Sequence, residues 1–270
     1  MEINAVCAGE KWQPYCEILP EHFFPIHSVF DRVVNVSTGK NLLSVAAQGI
    51  GCSSSFLTIP GNYIDCGVKT GDYCVLLSGQ IQLANYTINL KNTAAWKGPV
   101  NKNYRNKTVK NENISAFKAV LDRKAPRQSA WRNIQDNSEC RFHGLRVIRK
   151  LREDPSLAQN LIGLGQGLTP SGDDMLTGFL AMVNHLSKNM KFVQILHNVV
   201  RNSLGKTTDL SAQMLENALD WDYHEYVQNC IRDLCEGEKE EVYISASSLL
   251  SIGATSGSDI ACGMYFGMLE

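Results

Sequence analysis

The chain has 270 residues, of which 44% are hydrophobic and 20% charged, a composition ordinary for a folded globular protein. Its 26 Lys and Arg residues nearly balance 27 Asp and Glu residues, so the formal net charge is -1. Because this charge creates no field that would attract nucleic acid or an anionic membrane, we expect neither as a partner. The sequence also contains no apolar run near the roughly 18 residues of a membrane-spanning helix.

The cysteine pattern predicts reduced thiols, and the histidine pattern predicts no zinc site. The nine cysteines are odd in number, irregularly spaced and without a Cys-x-x-Cys pair. With no secretory signal at the N-terminus, this usage favours a cytoplasmic protein without disulfides. The six histidines lack the spacing of a zinc site, so we predict no metal-ligating residue among them.

The first part of the chain has the pattern of short β-strands. Tyr86, Ile88 and Leu90 alternate with polar residues, the period of a half-buried strand. Residues 78–80 read Ser-Gly-Gln and predict a hairpin turn. Strands are predicted at residues 33–36, 42–46, 56–59, 73–77, 81–83 and 86–90. This spacing predicts a β-rich, barrel- or sandwich-like domain over residues 1–96.

Residues 97–113 are rich in Lys, Arg and Asn, which predicts a solvated linker or loop. The alternative is a basic rim that attracts an acidic substrate. After this segment, apolar residues recur at intervals of three and four, as in helices. Helices are predicted at residues 114–125, 141–152, 175–186, 189–202, 209–220, 223–235 and 240–250. The predicted fold class is therefore α+β, with the β-rich domain followed by an α-helical domain over residues 114–270.

A glycine-rich turn precedes the most apolar of these helices. Three glycines lie close together from residue 163 to residue 167, and helical pattern resumes after Pro170. Glycines let a ligand approach the backbone, and the first N–H groups of a helix are unpaired, so this turn suits phosphate or carboxylate. It is not a P-loop, because no Gly-Lys-Ser/Thr follows, and Pro170 interrupts a dinucleotide fingerprint. We predict substrate-binding residues here at Gly165, Gly167, Thr169, Ser171 and Gly172.

Two adjacent carboxylates follow the turn, Asp173 and Asp174, and we predict them to be catalytic. Their charges would repel a bound phosphate by several kcal/mol at short range. The sequence leaves three ways to relieve that repulsion. A divalent cation could bridge carboxylate and phosphate, for which Mg²⁺ is the candidate although no cofactor is required by the pattern. An amide-bearing substrate could donate to an Asp, or a positive side chain could arrive from elsewhere.

The pattern Ser-Gly-x-Asp-x-x-x-Gly occurs twice, at residues 171–178 and 256–263, an offset of 85 residues (256 minus 171). We predict that two helices cross near Gly178 and Gly263, with N-termini converging within about 15 Å, the length of ten helical residues. In the alternative interpretation each Ser-x-x-Asp is a capping box, and both repeats are well-capped core helices. The second repeat adds Ser256, Gly257 and Asp259 to the predicted substrate-binding residues.

Residues 206–208 are a secondary candidate. Two adjacent hydroxyls, of Thr207 and Thr208, beside Lys206 could hold an oxyanion. The alternative is that Thr208 caps the helix that follows.

Three strings together resemble the bacterial AllH-type family: GLGQGLTPSGDDMLTGFL at residues 163–180, TTDLS at 207–211 and GATSGSDIACG at 253–263. The resemblance extends to the β-rich first half and the overall length. It implies a subunit of oxamate carbamoyltransferase in allantoin and purine nitrogen catabolism, with other subunits as partners. The reaction so implied interconverts oxamate and carbamoyl phosphate with oxalurate and phosphate.

Three functions stay open at this point. The chain is a catalytic or substrate-binding transferase subunit, a structural or regulatory subunit, or a stand-alone metal-dependent enzyme that uses Asp173 and Asp174. The string Ser-x-Arg-Thr-Arg, with which ornithine-type carbamoyltransferases hold carbamoyl phosphate, does not occur here. Carbamoyl transfer would therefore need a different geometry, or catalytic residues on partner subunits.

Overall fold

A computed structural model of the protein describes residues 1–16, 21–61, 64, 67–98, 104, 107–135 and 143–269. The chain divides into two compact units, Met1–Pro99 and Val100–Glu270. The first unit contains the strands and the second contains long helices, so the predicted α+β class is confirmed. The exact limits predicted for the linker, residues 97 and 113, stay a prediction.

The first unit is built on a curled ten-stranded sheet, a half-barrel, within the described residues. Its strand order is β1-β9-β8-β7-β3-β4-β5-β6-β2-β10. The strands are β1 (Glu2–Asn4), β2 (Cys7–Ala8), β3 (His22–Phe30), β4 (Val33–Ser37), β5 (Leu42–Ala47), β6 (Phe56–Ile59), β7 (Tyr73–Leu77), β8 (Gln80–Leu83), β9 (Tyr86–Asn89) and β10 (Ala94–Ala95). A short helix, α1 (Gln13–Cys16), follows a single 3-10 turn at Glu10–Trp12.

The six predicted strands are all present, and the hairpin turn between β7 and β8 is confirmed. Ser78 and Gly79 both have positive φ, 44° and 78°, as a two-residue turn between antiparallel strands requires. The nine-residue β3 was not predicted, because Pro25 and two histidines interrupt its apolar pattern. It pairs with β7 and β4, with a register shift between Ile26 and Ser28.

The second unit is helical, and the predicted helices are confirmed with small shifts of their ends. Its helices are α2 (Asn111–Lys124), α3 (Arg132–Gln135), α4 (His143–Lys150), α5 (Ser171–Leu186), α6 (Met190–Arg201), α7 (Asp209–Leu219), α8 (Glu225–Glu236), α9 (Lys239–Leu249) and α10 (Ser256–Met268). Short 3-10 helices lie at Pro155–Asn160 and Leu204–Lys206. Residues 141 and 142, where one predicted helix begins, lie outside the described residues.

Helix α5 is the centre of the second unit. Residues 172–185 are all buried, which explains why apolar side chains occur around its whole circumference. Helix α10 packs along it, and both contribute to a single apolar core with α2 and α4 through α9. Of the described helices, none has the length and apolar character that a membrane crossing demands.

Part of the predicted linker packs within the second unit. Tyr104 and Val109 are buried in its core. Lys107 pairs with Glu236 at 2.8 Å and Lys110 with Glu238 at 3.0 Å. Residues 99–103, 105 and 106 of the predicted linker lie outside the described residues.

Candidate functional site

The two glycine-containing helices touch through their backbones. A Cβ added at Gly178 would lie 1.9 Å from the carbonyl oxygen of Ile260, and one added at Gly263 would lie 1.8 Å from that of Met175. These contacts are equivalent, since 263 minus 178 and 260 minus 175 both equal 85. Only glycine permits such an approach. The predicted crossing is therefore confirmed.

The N-termini of α5 and α10 also meet. The hydroxyl of Thr169, just before α5, lies 2.9 Å from that of Ser256, the first residue of α10. This is far below the predicted limit of about 15 Å, a length of ten helical residues. Convergence of the two N-termini is confirmed.

The capping-box interpretation is wrong for both repeats. Helix α5 follows Pro170 and α10 follows Thr255, and neither N-cap residue makes a side-chain cap hydrogen bond. Instead the serines act across the helix pair. The Ser171 hydroxyl interacts with Asp259 of α10, and the Ser256 hydroxyl interacts with Asp174 of α5. The two helix ends are thus joined by an exchange of polar contacts.

Asp173 is buried and fully engaged inside the protein. Its Oδ1 accepts the backbone N–H of Gly163 at 2.9 Å, and its Oδ2 accepts a short hydrogen bond from the hydroxyl of Thr207. Burial raises the pKa of Asp173, and these bonds, together with the Ser211 hydroxyl, lower it. Asp173 therefore ties the glycine-rich turn to the segment before α7. These contacts favour a role for Asp173 in positioning the glycine-rich turn, rather than the catalytic role that was predicted for it.

Asp174 lies in a different environment, although it too is buried. Neither of its carboxylate oxygens has a hydrogen bond of ordinary distance and angle among the described residues. Burial raises the pKa of Asp174 well above its ordinary value, the negative charge of Asp259 raises it further, and the nearby Ser256 hydroxyl opposes that rise. An unpaired buried carboxyl group is costly to stability, and such groups concentrate at functional sites.

Asp259 faces Asp174 from the second helix. Its Oδ1 accepts the backbone N–H of Ala130 at 2.7 Å, whereas its Oδ2 has no ordinary partner within the described chain. Burial raises the pKa of Asp259 to about 6, against hydrogen bonds from Ala130, Ser171 and Thr255 that lower it. The site thus holds two interacting carboxyl groups that are both reluctant to ionise.

The glycine-rich turn lies beside these groups with free backbone donors. Gly163, Gly165 and Gly167 have φ of 75°, 134° and 88°, which side chains rarely adopt. Residues 165–168 are exposed. Among the hydrogen bonds of the described residues, none is donated by a backbone N–H of residues 165–169. The turn can therefore offer several N–H groups to an oxyanion.

Residues 206–208, the secondary candidates for binding an oxyanion, pack against the glycine-rich turn. The carbonyl oxygen of Lys206 would be 2.5 Å from a Cβ at Gly163. Thr208 caps α7 by accepting from the N–H of Ser211, so the capping interpretation is confirmed. Its hydroxyl also donates to the carbonyl of Leu168. The Lys206 amine is exposed and lies 3.4 Å from the side-chain oxygen of Gln159.

The structure places Thr169, Ser171, Asp174, Ser256 and Asp259 at the paired helix ends, with Asp173, Thr207 and Thr208 bonded at the adjoining turn. Of the other predicted residues, Gly172 and Gly257 pack against the carbonyl oxygens of Leu161 and Leu249, and the Lys206 amine lies beside Gln159. The structure adds Ala130, Ser211 and Thr255, which sequence reasoning missed. Ala130 contributes only a backbone N–H, for which no residue pattern exists. In the described part of the chain, no group of three or more His, Cys, Asp or Glu side chains comes together as a metal site.

Comparison with known families finds a match to this region. Residues 161–268 match the family model of the oxamate carbamoyltransferase subunit AllH. The AllH match begins two residues before Gly163 (163 minus 161) and ends at Met268, the last residue of α10, so it encloses both repeats. The resemblance to AllH is confirmed over this segment. No solved structure matches the chain.

The contact between Thr207 and Asp173 gives a first prediction. Thr207→Val keeps the volume but removes the hydroxyl that Oδ2 of a buried carboxylate accepts. We expect the free energy of unfolding in urea to fall by about 1–3 kcal/mol. Thr108→Val, at an exposed position, is the control and should change little. Equal stability of the two variants would show that Thr207 does not hold Asp173.

Proposed function

We propose that the chain is a substrate-binding subunit of oxamate carbamoyltransferase, acting with other subunits. The reaction is the interconversion of oxamate and carbamoyl phosphate with oxalurate and phosphate, in allantoin and purine nitrogen catabolism. The family that matches residues 161–268 is itself a subunit of this transferase. The match covers the two helix N-termini and the glycine-rich turn, which supports placing the ligand there.

The observation that carries the proposal is the state of Asp174. Packing alone explains Gly178 and Gly263, because they let two backbones touch. Packing does not explain a fully buried carboxyl group without an ordinary hydrogen-bond partner in the described chain. Leaving such a group unpaired costs about 1–3 kcal/mol or more, so a stabilising role for Asp174 is disfavoured.

The substrates have the groups that this site lacks. Carbamoyl phosphate and oxamate each carry an anionic group and an amide. The free N–H groups of residues 165–169 suit the phosphate or carboxylate, and the carboxyl oxygens of Asp174 suit the amide N–H groups. The repulsion expected between Asp174 and a bound anion is weakened because its raised pKa favours the neutral form.

A structural subunit is the second candidate, and the backbone contact between α5 and α10 favours it. If the repeats serve only packing, Asp174 is dispensable for activity. A stand-alone metal enzyme using Asp173 and Asp174 has less support, because both oxygens of Asp173 are occupied by protein donors.

The test is an assay of oxalurate phosphorolysis by the full chain co-purified with its partner subunits. We expect Asp174→Ala to lower kcat/KM by about 100-fold or more, the usual effect of losing a group that acts on the reacting substrate. Glu240→Gln, which removes an exposed carboxylate in the first turn of α9, should leave activity unchanged. Wild-type activity in an assembled Asp174→Ala complex would overturn the proposal in favour of the structural subunit.

A further inference from the structure

Three carboxyl oxygens at the helix pair lack an ordinary partner among the described residues: Oδ1 and Oδ2 of Asp174 and Oδ2 of Asp259. Both side chains are 0% exposed. Their residues occupy equivalent places in the two repeats, since 259 minus 174 equals 85. The charge of Asp259 acts on Asp174 across the helix pair, so the three oxygens belong to one buried polar cluster contributed by both helices.

The charge of this cluster restricts what it can bind. Two carboxylates side by side repel one another, and one proton shared between them removes most of that repulsion. The pair then offers one O–H donor and several acceptor lone pairs. A further carboxylate or phosphate at this point would restore the repulsion. A neutral group that both donates and accepts hydrogen bonds would complete the pairing.

A primary amide has that complement. Its NH₂ group donates two hydrogen bonds and its carbonyl oxygen accepts two. The serines that reach across the helix pair, Ser171 toward Asp259 and Ser256 toward Asp174, lie beside the two carboxyl groups, and their hydroxyls can rotate to donate or accept. The neighbouring hydroxyl of Thr169 touches Ser256 and borders the glycine-rich turn.

We propose that Asp174 and Asp259 together recognise the primary amide of the substrate, while the N–H groups of residues 165–169 hold an adjacent anionic group. The assignment rests on the proposed function and adds Asp259 of the second helix to the amide end of that site. The amide end lies at the buried helix termini, and the anionic end lies at the exposed turn. The ligand class is a small anion with a –CONH₂ group next to its charge. Asp174 and Asp259 are its specificity-determining residues.

The experiment compares two ligands that differ only at the amide. Oxamate and oxalate have nearly the same size, but oxalate has a second carboxylate in place of –CONH₂. Their dissociation constants are measured by calorimetry on the complex containing the full chain. We expect the wild type to prefer oxamate by at least about tenfold, because a site built to pair an amide leaves its polar groups unpaired or repelled by a carboxylate.

Substitutions at the two carboxyl groups test whether they cause the preference for oxamate over oxalate. Asp174→Leu, which keeps the branching of the side chain but is bulkier and has no polar atoms, should abolish the preference for oxamate. Asp174→Asn, close to Asp in size, should keep part of it because an amide still donates and accepts. Asp259→Asn is the second probe in case the leucine variant does not fold, and it should reduce the preference for oxamate because one of the two carboxyl groups is lost; an unchanged preference would overturn the assignment. Glu240→Gln, which changes an exposed carboxylate, should bind both ligands as the wild type does.

Each failure has a distinct meaning. Equal affinity of the wild type for oxamate and oxalate, or an unchanged preference in Asp174→Leu, would overturn the amide assignment and leave the proposed ligand site standing. Oxamate binding that requires Mg²⁺ would also overturn it, because the carboxylates would then be holding the ion. Absence of binding by both ligands, with the complex assembled, would overturn the proposed function itself.

Discussion

Gly263→Ala is expected to lower the free energy of unfolding by about 3 kcal/mol, the upper end of the usual effect of overpacking a core. The added Cβ would lie 1.8 Å from the carbonyl oxygen of Met175, closer than any real contact between such atoms. A backbone carbonyl inside a helix cannot move aside as a flexible side chain can. The two helices must therefore separate along their most buried surface, where both lose packing.

The same change at the equivalent position provides an internal check. Gly178→Ala would place its Cβ 1.9 Å from the carbonyl oxygen of Ile260, so its effect should match that of Gly263→Ala. Gly205→Ala is the control, because a Cβ there meets nothing within 4 Å. Urea denaturation of the full chain measures all three. Wild-type stability in both core variants would show that α5 and α10 do not touch at these glycines.

The crossing of α5 and α10 could be predicted because its signal is contained within short repeats. A glycine four residues after an aspartate, found twice, indicates two helices that approach closely and begin with polar groups. The offset of 85 residues (256 minus 171) relates the two without any knowledge of what lies between. The contacts of Ser171 with Asp259 and of Ser256 with Asp174 could not be predicted from this pattern. Ser-x-x-Asp reads the same whether its hydrogen bonds stay in one helix or cross to another.

The different environments of Asp173 and Asp174 could not be predicted from the sequence either. Adjacent residues of an α-helix are about 100° apart around its axis, so two neighbouring carboxyl groups face different elements. Asp173 faces the glycine-rich turn and Thr207, and Asp174 faces the second helix and Asp259. The sequence pattern does not say where each points, because the rotation of α5 about its axis is fixed by distant packing.

Asp259→Asn is expected to stabilise the protein near neutral pH while impairing ligand binding. Burial raises the pKa of Asp259 from its ordinary 3.8 to about 6. The folded state therefore keeps a proton between about pH 4 and pH 6 that the unfolded state has lost, and stability falls as the pH rises through this window. Above it the loss is constant, at about 3 kcal/mol. Asparagine has no charge to bury, and its side-chain oxygen can still accept from Ala130.

Thermal unfolding at two pH values measures this effect. At pH 7.5 the Asp259→Asn variant should melt several degrees above the wild type, by about 2–4 °C for each kcal/mol in a protein of this size. Near pH 4 the difference should almost vanish, because Asp259 is then neutral in the folded wild type. Glu240→Gln, at an exposed carboxylate, should show no such dependence on pH. A variant less stable than the wild type at pH 7.5 would mean that the Asp259 carboxyl group supports the fold.

The sign of that change bears on why the carboxyl pair exists. A group that lowers the stability of its own protein at working pH is explained by an activity that requires it, since stabilising substitutions commonly reduce function at such sites. Asp174, with neither oxygen paired among the described residues and Asp259 beside it, should behave in the same direction. Gain of stability with weaker oxamate binding in both Asp259→Asn and Asp174→Asn would therefore identify α5 and α10 as the two halves of one binding site. Loss of stability in both would instead reduce them to a packing unit.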